Sequence, residues 1–359
     1  MHQNLNTKNQ KGFSIIEMMI AITVMLIITS AIVTLLRNSL QVATTTYELT
    51  DAQESFRTAQ EYISRDLMNA GDGLKSVTYI PVNKTFVQAY LSLAPIVDPA
   101  QPAVTNLGIL TTDNNVPGTT VVLPVTPPPV PAPGVVKVRD LTDRQTILEL
   151  DPDPTNIQIG AIAIDATAKT LTLPAATTMS RFQVGEIYFL TTLKGGTFGA
   201  ITKVDSALKT LEFDNGDYCG LNVTGASGRI KDIATAGLPT IQRMKIIHYF
   251  VDANGLLMRR VFGVKGQPFS DSVIAEHVVS VQFVYSLGLD FNGDPLQPVS
   301  ALTTLAQQIA ISQVESTVVV ETPHMVASAA SLTGFKQQLS STTSTSLRNM
   351  QFRQALQPK

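Results

Sequence analysis

The sequence has 359 residues, 44% of them hydrophobic, which is enough apolar material for roughly two or three domain-sized units and too much for a disordered chain. Its 26 basic and 28 acidic residues are spread along the chain and leave a formal net charge of -2, so no basic field is available to hold nucleic acid or an anionic lipid surface. Cys219 is the only cysteine and tryptophan is absent, which excludes an intramolecular disulfide and a cysteine-based zinc cluster.

The first element is an apolar run from Phe13 to Leu36, bounded by Lys11 and Arg37 and interrupted by one charge, Glu17. As a helix rising about 1.5 Å per residue it covers about 36 Å, enough to cross a hydrocarbon core of about 30 Å. Lys8 and Lys11 before the run favour a cytoplasmic N-terminus, with the remainder of the chain outside. Glu17 is the anomaly, because an ionisable side chain in a spanning segment costs on the order of 2.5 to 3.5 kcal/mol and usually marks a function. No basic side chain lies between Phe13 and Leu36, so a partner has to come from another chain or from a new N-terminus. Cleavage between Gly12 and Phe13 would supply one, a free α-amine four residues before Glu17.

The segment "KGFSIIEMMIAI" resembles the processing site of type IV pilins and of the related type II secretion pseudopilins. It has a short basic leader, Gly12 at the cut, Phe13 as first mature residue and Glu17 fifth. The resemblance implies that a prepilin peptidase cuts after Gly12 and methylates Phe13, and that Glu17 neutralises the amine of a neighbouring subunit during assembly. Two other readings stay open. A secretory signal peptide would need an apolar region of about 7 to 15 residues and a small-residue cut, for which Thr29 to Ala31 is a candidate. A plain membrane anchor would leave Glu17 incidental.

Beyond Arg37 the helical pattern turns amphipathic. Leu40, Ala43, Tyr47, Phe56, Ala59, Ile63, Leu67 and Ala70 recur at three- and four-residue spacing, and Gly71 and Gly73 close the helix. Past Leu74 the period becomes two, with abundant Val, Ile and Thr, as a β domain requires. The expected fold class is α+β: a long N-terminal helix, its first half transmembrane and its second amphipathic, packed on a mainly antiparallel β globular domain with an inserted small β subdomain. The expected divisions are a leader over 1–12, the transmembrane half over 13–36, the amphipathic half over 37–72, a β region over 73–154 with a Pro-rich loop at 124–134, the inserted subdomain over 155–235 and a C-terminal β region over 236–359. Residues 244–262 read as a hairpin around Asn254-Gly255, a pair suited to a type I′ turn. "VVSVQFVY" and "QIAISQVESTVVVET" read as strands, and "SSTTSTS", 340–346, as a flexible surface loop. These C-terminal segments resemble PilW-like minor pilins and J-type pseudopilins.

Catalytic signatures are absent: there is no H-E-x-x-H, G-x-S-x-G or phosphate-loop motif, and no cofactor is expected. His248 reads as a structural strand residue, "LKGGTFGAITK" as a tight turn, and Arg259-Arg260 as the end of a strand. Asp290, Asn292 and Asp294 alternate as calcium ligands can, but the glycine comes early and the distal glutamate is missing, so an Asn-Gly turn is the better reading. Cys219 reads as an unpaired thiol, with an intermolecular disulfide as the alternative.

The expectation is a non-enzymatic minor type IV pilin, whose partners are prepilin peptidase, other pilin subunits and the bacterial inner membrane. The chain would cross that membrane once, hold its C-terminal domain in the periplasm and then join a pilus at the cell surface. A type II pseudopilus-tip pseudopilin is the alternative within the same helix physics. A membrane-anchored extracytoplasmic binding domain is the alternative outside it.

Overall fold

Ser14 opens a helix, α1 (Ile15–Met68), whose 54 residues include neither proline nor glycine. In its apolar half the hydroxyls of Thr23 and Thr34 donate to the carbonyls of Met19 and Ser30, so these polar groups are satisfied inside the helix. Gly71 and Gly73 take up positive φ just beyond its end, where the Gly71 amide donates to the Leu148 carbonyl.

The computed structural model describes residues 14–74, 79–91, 104–117, 121–122, 136–137, 139–151, 159–160, 163–164, 169–192, 195–214, 216–217, 221–222, 240–267, 269–288, 296–328 and 331–347. The Pro-rich stretch 124–134 lies outside them. One compact unit draws on Met1–Asp51 and Thr322–Gln337, the other on Ala52–Glu321 and Gln338–Lys359.

The strands in chain order are β1 (Tyr79–Asn83), β2 (Val104–Gly108), β3 (Leu110–Val116), β4 (Val121–Val122), β5 (Val136–Lys137), β6 (Thr142–Leu150), β7 (Ile159–Gly160), β8 (Ala163–Ile164), β9 (Thr170–Thr172), β10 (Ile187–Thr192), β11 (Gly195–Ala200), β12 (Lys203–Asp205), β13 (Thr210–Glu212), β14 (Thr240–Val251), β15 (Leu257–Phe262), β16 (Phe269–Ala275), β17 (Val278–Leu287), β18 (Ile311–Glu321), β19 (Val326–Ser328), β20 (Ser331–Phe335) and β21 (Gln338–Ser346). Their pairings are antiparallel, so the fold is α+β, a long N-terminal helix with a mostly antiparallel sheet domain.

In the first unit, β19 and β20 pair with Val326 opposite Phe335. His324 Nδ1 lies 2.9 Å from Glu48 Oε1, joining this segment to α1. Leu40 and Tyr47 are exposed, so the apolar stripe that the spacing predicts from Leu40 does not become a buried face here.

In the second unit the stripe is buried from Ala52 onward: Ala59, Ile63, Leu67 and Ala70 share one core with Ile147, Ile247, Tyr249, Phe283, Val314 and Val318. The long strand β14 organises the largest sheet, in the order β11-β10-β14-β15-β16, with β6 and β7 also on β14 and β3 on β6. A second sheet runs β17-β18-β21. Asp143 ties the two sheets, its carboxylate accepting from the amides of Asn115 and Phe283 at 2.8 and 2.7 Å. A four-stranded sheet, β12-β13-β9-β8, adjoins a separate apolar cluster of Leu171, Met179, Phe182, Leu190, Leu211 and Phe213.

Four local expectations change. The β14–β15 loop is not a type I′ turn, because Gly255 has φ +80° while Asn254 keeps negative φ. The Gly255 amide donates to the Asp252 carbonyl, and the Asp252 carboxylate accepts from the amides of Asn254 and Leu256, which makes a type I turn followed by a left-handed glycine. "SSTTSTS" is not a loop but most of β21, in unbroken register with β18. The glycine-rich 195–200 is strand β11, where a Cβ on Gly199 would come within 2.5 Å of the Phe213 ring. Gln308 to Ala310 belong to a short helix, Leu305–Ala310, begun by a Thr304–Gln307 capping box, so β18 starts only at Ile311.

Buried charge fastens α1 to the large sheet. Asp66 accepts from the Tyr249 hydroxyl and from Arg259 Nε, both at 2.6 Å. Glu149 is buried beside it with Oε2 unpartnered, and its carboxyl is pushed up to about 7, chiefly by burial and then by Asp66. Lys245 and Arg259 act in the opposite direction, while Asp151 adds to the rise.

Two outcomes follow. Leu67→Ala should destabilise the folded domain by about 2 to 5 kcal/mol in urea unfolding, while Leu40→Ala should stay within about 0.5 kcal/mol of wild type. For Glu149, the folded state keeps a proton that the unfolded state loses near the ordinary glutamate value of about 4.5, so between that pH and about 7 this group lowers stability as pH rises. Glu149→Gln should therefore gain on wild type as pH climbs through that window, and parallel pH profiles of urea midpoints would show that Glu149 is not so perturbed.

Candidate functional site at the head of the first helix

The helix start is built by two side chains. Ser14 Oγ accepts from the Ile16 amide at 3.3 Å, and Glu17 Oε2 reaches back to accept from the Ser14 amide at 3.0 Å. This resembles a capping box with the hydroxyl on the second helical amide instead of the third: a hydroxyl at the N-cap and a carboxylate three residues on satisfy amides that the helix leaves open. The Ser-x-x-Glu spacing was legible in the sequence, yet the part played by Ser14 was missed, because Glu17 drew attention as a charge and not as a cap. The carboxylate also sits at the positive end of the helix dipole.

Every large apolar side chain from Ile15 to Val42 is exposed, Ile15 at 82% and Leu35 at 72%. The helix is long and apolar enough to cross a membrane, and none of its most apolar window is buried by the rest of the chain. Among the described residues no cation pairs with Glu17; its hydrogen bond is to the Ser14 amide, which leaves Oε1 available to a second donor. The head of α1 can thus hold an anionic group in an apolar setting and accept a positive group from outside. Gly12 and Phe13 lie outside the described residues.

The other sequence candidates are placed as follows. His248 is fully buried in β14, with Nδ1 at 2.9 Å from Thr146 Oγ1, and burial followed by the Arg144 and Arg260 charges holds its pKa well below the ordinary range. Arg259 and Arg260 do not end a strand. They lie inside β15, Arg259 on Asp66 and Arg260 bound through Nε and Nη2 to Asp271 at 2.8 Å, with its guanidinium 3.8 Å from the centre of the Phe269 ring. Cys219, Asp290, Asn292 and Asp294 lie outside the described residues, and among those described no group of His, Cys, Asp and Glu could hold a metal ion.

A conservative exchange separates capping from charge. Glu17→Gln keeps the box, since glutamine can fill the same position, and should leave amide exchange at 14–17 near wild type. Glu17→Ala should weaken the helix start by about 1 kcal/mol and speed exchange there. Equal exchange in all three proteins would remove the capping role.

The family model for the prokaryotic N-terminal methylation motif matches residues 7–33. No curated protein and no solved structure matches the chain. The motif implies processing by prepilin peptidase and assembly with pilins, and together with the uncovered apolar helix it supports membrane anchoring. The head of this helix therefore carries the methylation motif of prokaryotic prepilins, which supports a type IV pilin-like chain.

Proposed function

We propose that the chain is a minor type IV pilin of the PilW-like kind, a structural and non-enzymatic subunit that helps to prime pilus assembly. It is cut between Gly12 and Phe13, methylated on Phe13, held once across the inner membrane with its sheet domain in the periplasm, and then drawn into a pilus. The observation that carries this reading is Glu17: a carboxylate at the head of an uncovered apolar helix, inside a matched methylation motif, bound among the described residues only to an amide. In a filament the α-amine of a neighbouring subunit's first residue is the charge that suits it. Breaking such a buried pair by removing one partner costs about 3 to 5 kcal/mol.

We read 155–235 as an insertion in the sheet domain. The separate apolar cluster around Leu171, Phe182 and Leu211 supports this, although β10 and β11 from the same stretch pair into the large sheet.

The test is mass spectrometry of the N-terminal peptide, from membranes and from sheared surface filaments, for wild type and Glu17→Gln. A methylated Phe13 in filaments is the expected wild-type result, with Glu17→Gln at least tenfold depleted from them, as an assembly cost of about 1.4 kcal/mol or more requires. Methylated protein confined to membranes would favour the secretion pseudopilus. An intact leader, a cut after Ala31, or a Glu17→Gln protein that assembles normally would overturn the reading.

A further inference from the structure

Among the described residues the strand β21 is the outer member of its sheet. It pairs with β18 over nine residues, from Gln338 opposite Glu321 to Ser346 opposite Gln313, without a register shift. Its sequence, QLSSTTSTS, contains no charge, no proline and no glycine. Natural edge strands are usually blunted by charge, proline, a bulge, a short length or a covering element; this one has none of the first four, and α1 lies beside it, with Gln60 Nε2 donating to Ser341 Oγ at 3.3 Å. A groove of about 440 Å³ runs beside it, lined by Ser64 and Met68 of α1 and by Thr343, Ser344, Thr345 and Ser346. Four consecutive strand residues line it, so the groove follows the strand's edge and not one of its faces. Thr345 is 5% exposed, yet its Oγ1 has no hydrogen-bond partner, and the buried Ser64 Oγ lacks one too. Buried hydroxyls without partners are costly, and both sit on the groove.

We infer that this edge pairs with the same edge of a second copy of the chain, two β21 strands running antiparallel as one continued sheet. The absence of charge selects the occupant. A two-fold interface sets a patch against itself, so any charge in it meets a like charge nearby, and β21 is neutral from Gln338 to Ser346. Opposed hydroxyls are favourable cross-strand pairs, and this strand already forms one within the chain, Thr317 Oγ1 with Thr342 Oγ1 at 2.8 Å. Thr342 and Ser344 project to solvent, so charge can be added there without disturbing the core.

The experiment is sedimentation of the full chain in detergent micelles over a range of concentrations. Wild type should dimerise. A Thr342→Lys/Ser344→Lys variant and a Thr342→Glu/Ser344→Glu variant, each with wild-type circular dichroism, should each show a dissociation constant raised about 100-fold. An equimolar mixture of the two should dimerise again, which misfolding of either could not produce. A wild type that stays monomeric overturns the inference, as does a dimer that persists in both variants, since the contact would then lie elsewhere on the chain. A monomer whose β21 amides become protected only when a different subunit is added would give the edge to another protein and overturn self-pairing.

Discussion

Two carboxylates on one helix face the same physical problem, and the protein is organised by how differently each is solved. A carboxylate held among apolar groups is stable as an anion only if hydrogen bonds or an opposite charge replace the lost water. Asp66 finds these within the chain, from Tyr249 on β14 and Arg259 on β15. Among the described residues Glu17 finds only the Ser14 amide. The first arrangement fixes α1 to the sheet domain, and the second leaves a carboxylate with which no cation pairs among the described residues.

Burial along α1 follows the same division. From Ala52 onward its apolar stripe is covered by β6, β14, β17 and β18 residues, which share a core with Ile63 and Leu67. From Ile15 to Leu36 the helix carries one charge, Glu17, and its large apolar side chains are exposed among the described residues. A helix of that kind requires lipid or other helices around it. The threonine hydroxyls that turn back onto their own helix carbonyls suit both surroundings equally, because they ask nothing of the solvent.

The sheet domain holds more buried charge than its modest net charge suggests. Arg144, Arg260, Glu149, Asp143 and Glu186 are all nearly inaccessible. Most are paired across strands or between sheets, as Arg260 is with Asp271 and Asp143 with the Phe283 amide. Such contacts contribute less to net stability than to specifying which strand meets which, since a slipped register would strand a charge without its partner.

What the sequence determined by itself lies at the two scales where local rules dominate. The spanning helix, its end at Gly71, the position of Glu17 and the alternation of β17 and β18 follow from periodicity and composition, which need no knowledge of distant residues. Tertiary structure decided the rest. "SSTTSTS" has loop composition and became β21 because β18, an element remote in the chain, offered it a complete ladder from Gln313 opposite Ser346 to Glu321 opposite Gln338. Arg259-Arg260 looked like a strand end and proved to be strand interior, because Asp66 and Asp271, remote or across a turn, neutralise them. The stripe beginning at Leu40 had the right spacing for burial, but spacing states only which residues share a face; whether anything covers that face depends on where the sheets lie.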